Sequence, residues 1–163
     1  MTRLGVAALA VLGLGSCAPE PQPMASLQTA FDHGTYRVTV GSFDEGYPVR
    51  FSCVEDCPGP VEFVEHLGDH PLGLFSRDQD ELIFYLSGTG VGYRVWIWQV
   101  SDAGIKRIGE LGSRGRPDFL SDAKGHAVVQ TYEANSGVEL WQPVRWTFDG
   151  GKFVGAPIAH SRD

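Results

Sequence analysis

Basic residues are scarce: 13 Lys and Arg stand against 20 Asp and Glu, a net charge of −7. A nucleic-acid footprint needs a basic face, so nucleic acid is excluded as a partner. Electrostatic docking onto anionic lipid is excluded for the same reason. Apolar runs are short as well. The longest, Leu4 to Leu14, falls well below the ~20 residues that cross a bilayer as a helix. Cysteine occurs only three times, at positions 17, 53 and 57, too few for a densely cross-linked scaffold. Catalytic signatures are missing too: there is no Gly-x-Ser-x-Gly elbow and no His-Glu-x-x-His. The sequence therefore points to no reaction, and no cofactor is expected.

Turn formers are plentiful, with 21 Gly and 10 Pro in 163 residues. Hydrophobic residues make up 42% and charged residues 20%, enough to build a core. This composition suits one domain of many short strands.

The N-terminus has its own grammar. Met1-Thr2-Arg3 is a short positive segment, Leu4 to Leu14 is apolar, and small residues follow before a cysteine. That is the plan of a secretory signal peptide. Leu14-Gly15-Ser16-Cys17 resembles the lipobox of bacterial lipoproteins. The resemblance covers the leader, residues 1–16, and implies that Cys17 becomes the lipid-bearing N-terminus. It implies a bacterial envelope location, with palmitate among the acyl chains. Loss of Arg3 with the leader leaves 12 cations against 20 anions, net −8. Residues 18–23 alternate Pro with Ala, Glu and Gln, which favours extended polyproline II. Such a tether, at ~3.1 Å per residue, holds the domain roughly 20 Å off the membrane. Residues 17–30 read as lipidated terminus and tether. Ala18 stands where an inner-membrane retention signal would place Asp. By analogy with that sorting rule, the protein belongs on the outer membrane, facing the periplasm.

Residues 31–163 read as a mainly β domain of antiparallel sheets, a sandwich or small blade-like meanders, with few or no helices. Ser26 to Phe31 fits a short helix or a simple lead-in. Beyond it, Tyr36, Val38 and Val40 alternate with polar residues, as do Val49, Phe51 and Cys53 across the Gly46-Tyr47-Pro48 turn. A hairpin follows from that period of two. Cys53 and Cys57, close in sequence and in an oxidising compartment, are expected to form a disulfide. An alternative is a zinc site joining them to His66 and His70. A third reading gives the two histidines a metal with Glu65 or Asp69. The plain reading leaves the histidines in a polar turn, and Glu62, Glu65 and Asp69 as a solvated acidic cluster.

Leu82 to Leu86 and Tyr93 to Val100 are apolar on both faces. Such strands are covered on both sides or expose a patch. The exposed version makes Trp96 and Trp98 a platform for glycan or peptide. Ser87-Gly88-Thr89-Gly90-Val91-Gly92 leads into a strand rather than a helix, so it is a hairpin connection and not a phosphate loop. Asp149-Gly150 signals another hairpin turn. Pro143 cannot donate to a ladder, which predicts an edge or bulged strand. Ser121-Asp122 with His126 is a coincidence of common residues rather than a catalytic set.

Two segments, about 72–109 and 116–155, share a plan: Ser/Asp turn, apolar strand, Gly turn, Trp-bearing strand, Asp-Gly turn, short strand. The period of about 45 residues is near that of a propeller blade. The units resemble the Asp-turn repeats of FG-GAP-type β-propellers over Phe75 to Val154. The calcium role of that family is not carried over, because the turns hold only Asp78 and Asp80, or Asp122 with Lys124. Two units cannot close a propeller, so a sandwich or open stack of meanders is expected. Ser87 to Trp98 also resembles small lysozyme-inhibiting lipoproteins, themselves disulfide-bearing β domains. The expected function is an envelope lipoprotein whose β domain binds a protein or glycan without catalysis. The alternative is an envelope hydrolase or metal-binding protein using His66 and His70.

Overall fold

A computed structural model describes residues 22–59, 62–134 and 141–158. Cys17, the lipobox and the C-terminal tail from 159 lie outside the described residues.

The described chain is mainly strand, and one 3-10 turn at Phe43–Glu45 is the only helical element among the described residues. β1 (Ala25–Phe31), β2 (Gly34–Val40), β3 (Pro48–Glu55) and β4 (Glu62–His66) form the first sheet. β5 (His70–Arg77), β6 (Leu82–Gly88), β7 (Tyr93–Ser101) and β8 (Gly104–Ser113) form the middle one. β9 (Asp118–Ser121), β10 (Ala127–Glu133), β11 (Gln142–Asp149) and β12 (Lys152–Pro157) form the last. Each is a four-stranded antiparallel meander in which sequence neighbours pair. The mainly β expectation is met, in its stacked-meander version.

Three details differ from expectation. Residues 25–30 are not tether but strand β1, paired with β2 from Ala25↔Val40 to Phe31↔Gly34. Their alternating partly buried positions settle the helix-or-lead-in question. The hairpin expected from Tyr36–Val40 and Val49–Cys53 is β2–β3, and β1 and β4 extend it to a further four-stranded meander beside the two Trp-bearing ones. Pro143 sits on an interior strand, since β11 lies between β10 and β12. Its carbonyl accepts Ile158 N–H at 2.9 Å, so its absent N–H also faces β12, beyond the last pair, Val144↔Pro157. The ladder needs no donor there.

Alternation on the middle sheet builds two cores. Ile83, Tyr85, Trp96, Trp98 and Val100 meet Tyr36, Val38, Val40, Val49 and Phe51 of the first sheet. Leu82, Phe84, Leu86, Val95, Ile97 and Leu111 meet Ala127 and Val129 of the last. Each fully buried Val, Leu, Ile or Phe contributes about 1.5–3 kcal/mol. The double-sided apolar strands are therefore covered on both faces.

Cys53 and Cys57 form a disulfide with Cα atoms 5.8 Å apart, as expected. It closes the turn after β3 and holds Asp56 at φ 51°. A loop this short contributes about 2 kcal/mol by the chain-entropy estimate.

Candidate functional site

The middle sheet decides the fate of the sequence-derived site residues. Trp98 is 0% exposed and Trp96 only 6%, so neither is a ligand platform. β7 is an interior strand and both indoles point into the core shared with the first sheet. Trp96 Nε1 donates to Ser87 Oγ at 3.3 Å. Arg94 and Arg107 each lie 5.3 Å from its ring centroid, a cation–π arrangement that closes the indole off.

The disulfide removes both cysteines from any Cys/His zinc set. His66 ends β4 and His70 begins β5, on either side of the connecting turn. His70 Nδ1 is 3.1 Å from Tyr47 Oη. The carboxylates that could join them are engaged elsewhere: Arg107 pairs with Glu65 at 3.3 Å and Arg94 with Asp69 at 3.3 Å. Glu65 and Asp69 are thus partners of arginines rather than a solvated cluster. Among the described residues no group of three or more His, Cys, Asp or Glu is gathered for a metal.

Two concavities lie at opposite ends of the middle and last sheets. At one end, the β5–β6 and β9–β10 turns meet. Asp80 is buried, accepts Ala127 N–H at 2.5 Å and holds His126 Nδ1 at 2.7 Å. Asp122 accepts the N–H groups of Lys124 and His126 at 2.8 and 2.9 Å. The ring of His126 is therefore oriented by Asp80, and Ser121 takes no part. The hydrogen bond and charge of Asp80 raise the His126 pKa, against a lowering by burial. Burial pushes Asp122 up, but its backbone hydrogen bonds outweigh this and its pKa is lowered. Gly125, at φ +90°, packs so close to Gln79 that a Cβ would collide with the amide. Lys124, Arg145 and Asp149 complete a cleft of 580 Å³ whose one side-chain hydroxyl is Thr147. A proton can be exchanged at His126, but among the described residues no activated nucleophile faces it.

The other end is built from the β6–β7 loop and the ends of β8 and β10. A cleft of 370 Å³ is lined by Tyr93, Arg94, Glu110, Arg114, Tyr132 and Glu133, among others. Two guanidiniums and two carboxylates balance its charge. The arginines are held in place. Arg94 pairs with Glu110 at 3.0 Å, and Arg114 donates to Val91 O at 3.1 Å. Ser113 Oγ accepts Tyr132 N–H at 2.9 Å and donates to Gly115 O at 2.6 Å, pinning β8 to β10. Tyr132 Oη donates to Asp118 and accepts from Gln130 Nε2 at 2.9 Å. The Asp118 bond raises its pKa.

Trp141, which is not part of this cleft's lining, is 48% exposed. Its ring lies over Gly115, where a Cβ would come within 2.5 Å of Cζ3. The same Cβ would reach 3.2 Å from Tyr132 Cβ. Only glycine lets the indole lie this close to the backbone. Sequence reasoning passed over Trp141. Its one signal was an indole standing before Gln142-Pro143, outside any apolar alternation.

The chain matches no protein-family model, no curated protein and no solved structure.

Proposed function

We propose that this is a lipid-anchored protein of the bacterial envelope, outer-membrane and periplasm-facing, whose β domain binds a protein or glycan partner without catalysis. The observation that carries the anchor is the apolar run Leu4–Leu14 ending in Leu14-Gly15-Ser16-Cys17. Several acyl chains give stable attachment because each buried CH₂ contributes ~0.8 kcal/mol. The two clefts, with their charged and aromatic linings, support the binding half of the reading. The Asp80–His126 pair has the geometry of a bond between sheets, without a nucleophile beside it, which favours binding over hydrolysis.

Palmitate labelling of the wild type and of Cys17→Ala tests the anchor. Labelling of the wild type alone is expected, and equal labelling would overturn it. Pull-down from crosslinked envelopes tests the binding. A partner recovered above a control carrying only the tether is expected, and recovery of none removes the binding half.

A further inference from the structure

We infer that the cleft at the Asp80–His126 end takes the carboxylate end of a peptide. The inference rests on the binding-module reading and gives it a ligand class. Three side chains that can carry positive charge line this one space: Lys124, His126 and Arg145. Neither Lys124 nor Arg145 forms an ion pair among the described residues. The lining carboxylates are placed differently. Asp80 accepts from His126 Nδ1 on one oxygen and from Ala127 N–H on the other. Asp122 Oδ1 accepts two backbone N–H groups of its own turn. Asp149 is the one lining carboxylate without such a bond among the described residues. The groups left to meet a ligand are therefore cationic on balance, in a chain of net charge −7. A monoanion fits them, whereas Asp149 disfavours a dianion such as a phosphate monoester.

The site is fixed before a ligand arrives. An ionised carboxylate only accepts, so the proton between Asp80 and His126 sits on Nδ1. Nε2 is then the ring nitrogen without a partner among the described residues. It becomes a donor when the ring is protonated, and the bond to Asp80 raises the His126 pKa. The other charged groups of the cleft are Asp80 from the β5–β6 turn, Asp122 and Lys124 from the β9–β10 turn, and Arg145 and Asp149 from β11. Gln79 Nε2 donates to Lys124 O at 2.8 Å, and Gly125 N–H to Asp122 O at 3.0 Å. The turn that carries Lys124 and His126 is thereby tied down, which lowers the ordering penalty of binding. On the sheet side, Arg145 and Thr147 pair with Ala156 and Val154 of β12 and share their face. Val154 is half-exposed. Cations thus stand beside a hydroxyl and a small apolar surface. The end of a peptide has the matching composition: a carboxylate, the amide before it and a side chain between them.

The test titrates the full-length lipoprotein, in detergent micelles, with two N-acetylated peptides that carry a free carboxylate. One is all-L trialanine, the chemistry of a protein's end. The other is the same peptide ending in D-alanyl-D-alanine, the chemistry of a cell-wall peptide. The C-terminal amide of each is the control, and calorimetry reads affinity. At least one free acid is expected to bind, and the tighter one identifies the source. Its amide should bind about tenfold more weakly. Arg145→Gln should weaken the acid by about tenfold and Lys124→Gln several-fold. Both side chains are exposed, so the melting temperature should not change. Arg114→Gln, in the opposite cleft, should leave binding intact. Raising the pH from about 6 to about 8 should weaken binding several-fold, as His126 loses its proton, and an affinity that holds steady removes His126 from the site. Binding of neither acid overturns the carboxylate site, as does an amide that binds as well as its acid or binding that Arg145→Gln and Lys124→Gln leave intact. An envelope partner captured equally by wild type and Arg145→Gln would keep the binding module while removing the carboxylate site. Failure to capture any partner or peptide would remove both.

Discussion

The seam between the first and middle sheets and the seam between the middle and last sheets differ in chemistry. The second is lined chiefly by hydrocarbon, and its buried Asp80, Ser113 and Thr131 are all hydrogen-bonded. Phe84 is 1% exposed, with Phe75, Phe119 and Phe153 at centroid distances of 5.5, 5.6 and 6.2 Å. Its one tryptophan, Trp146, donates to Thr131 Oγ1 at 2.9 Å. The first seam buries polar atoms. Tyr36 Oη and Trp98 Nε1 have no hydrogen-bond partner among the described residues, and Phe51 packs on Trp98 at 5.0 Å. Burial, together with the Glu81 charge, raises the Tyr36 pKa. The first seam is bordered by ion pairs, Arg94–Asp69 and Arg107–Glu65. Buried polar groups are therefore bonded in one seam, while the other holds two whose bonds are missing.

Truncation should expose the difference most. Phe84→Ala empties a site ringed by three phenylalanines and should lower stability by about 3–5 kcal/mol in urea unfolding. A loss under about 1 kcal/mol would mean that the second seam collapses around the gap and is not tightly packed. Across the middle sheet, Tyr36→Phe removes a hydroxyl with no partner. An orphaned buried polar group is unfavourable by about 1–3 kcal/mol, so this variant should gain about 1 kcal/mol. A loss of stability instead would show that the hydroxyl is hydrogen-bonded in solution, and the contrast between seams would shrink.

The seams were unequally legible in the sequence. Leu82 to Leu86 and Tyr93 to Val100 announced a sheet apolar on both faces, because alternation of the two sets leaves no polar side. The covering of Trp96 and Trp98 followed from that, once a third meander existed to cover them. Its hairpin β2–β3 was legible, but β1 and β4 were hidden. Ala25 to Phe31 alternates apolar residues with Ser, Gln and Thr too weakly to outweigh the neighbouring prolines. The hairpins and the disulfide were readable because they are local. The sites were not, since they join turns far apart in sequence. Asp80 meets Ala127 and His126 across 47 and 46 residues. Glu81 meets His33 across 48. No spacing rule links such positions. The packing of Trp141 was not legible either, because it depends on Gly115.

The smallest expected effect concerns what the seams share. One turn of the middle sheet places Asp80 and Glu81 side by side, each reaching a histidine of a different neighbour. Glu81, at φ 51°, accepts the backbone N–H of His33 at 3.2 Å and also holds its Nδ1. His33 Nε2 lies 2.9 Å from Asp102, which is 97% exposed. The pKa of His33 is raised, chiefly by its hydrogen bond to Glu81 and then by the charges of Glu81 and Asp102, against burial. The pKa of His126 is raised chiefly by Asp80, with Asp122 adding and Lys124 opposing. A raised folded pKa means that the fold favours the protonated ring. The stabilisation is complete below the unfolded histidine pKa and is lost as pH rises through the folded value. Asp122, with its lowered pKa, acts in the opposite sense: its contribution is present above the unfolded carboxylate value and lost as pH falls. The melting temperature should therefore decline between about pH 6 and pH 8. On the carboxylate side the two bonds differ in solvent access, since the Asp80 side chain is 4% exposed and that of Glu81 14%, while their histidines are similarly exposed at 40% and 35%. The less accessible pair is screened less. Asp80→Asn should consequently flatten the decline more than Glu81→Gln does, and high salt should erode the His33 share first. If Glu81→Gln flattens it more, the polar seam, not the hydrocarbon one, holds the stronger of the two bonds.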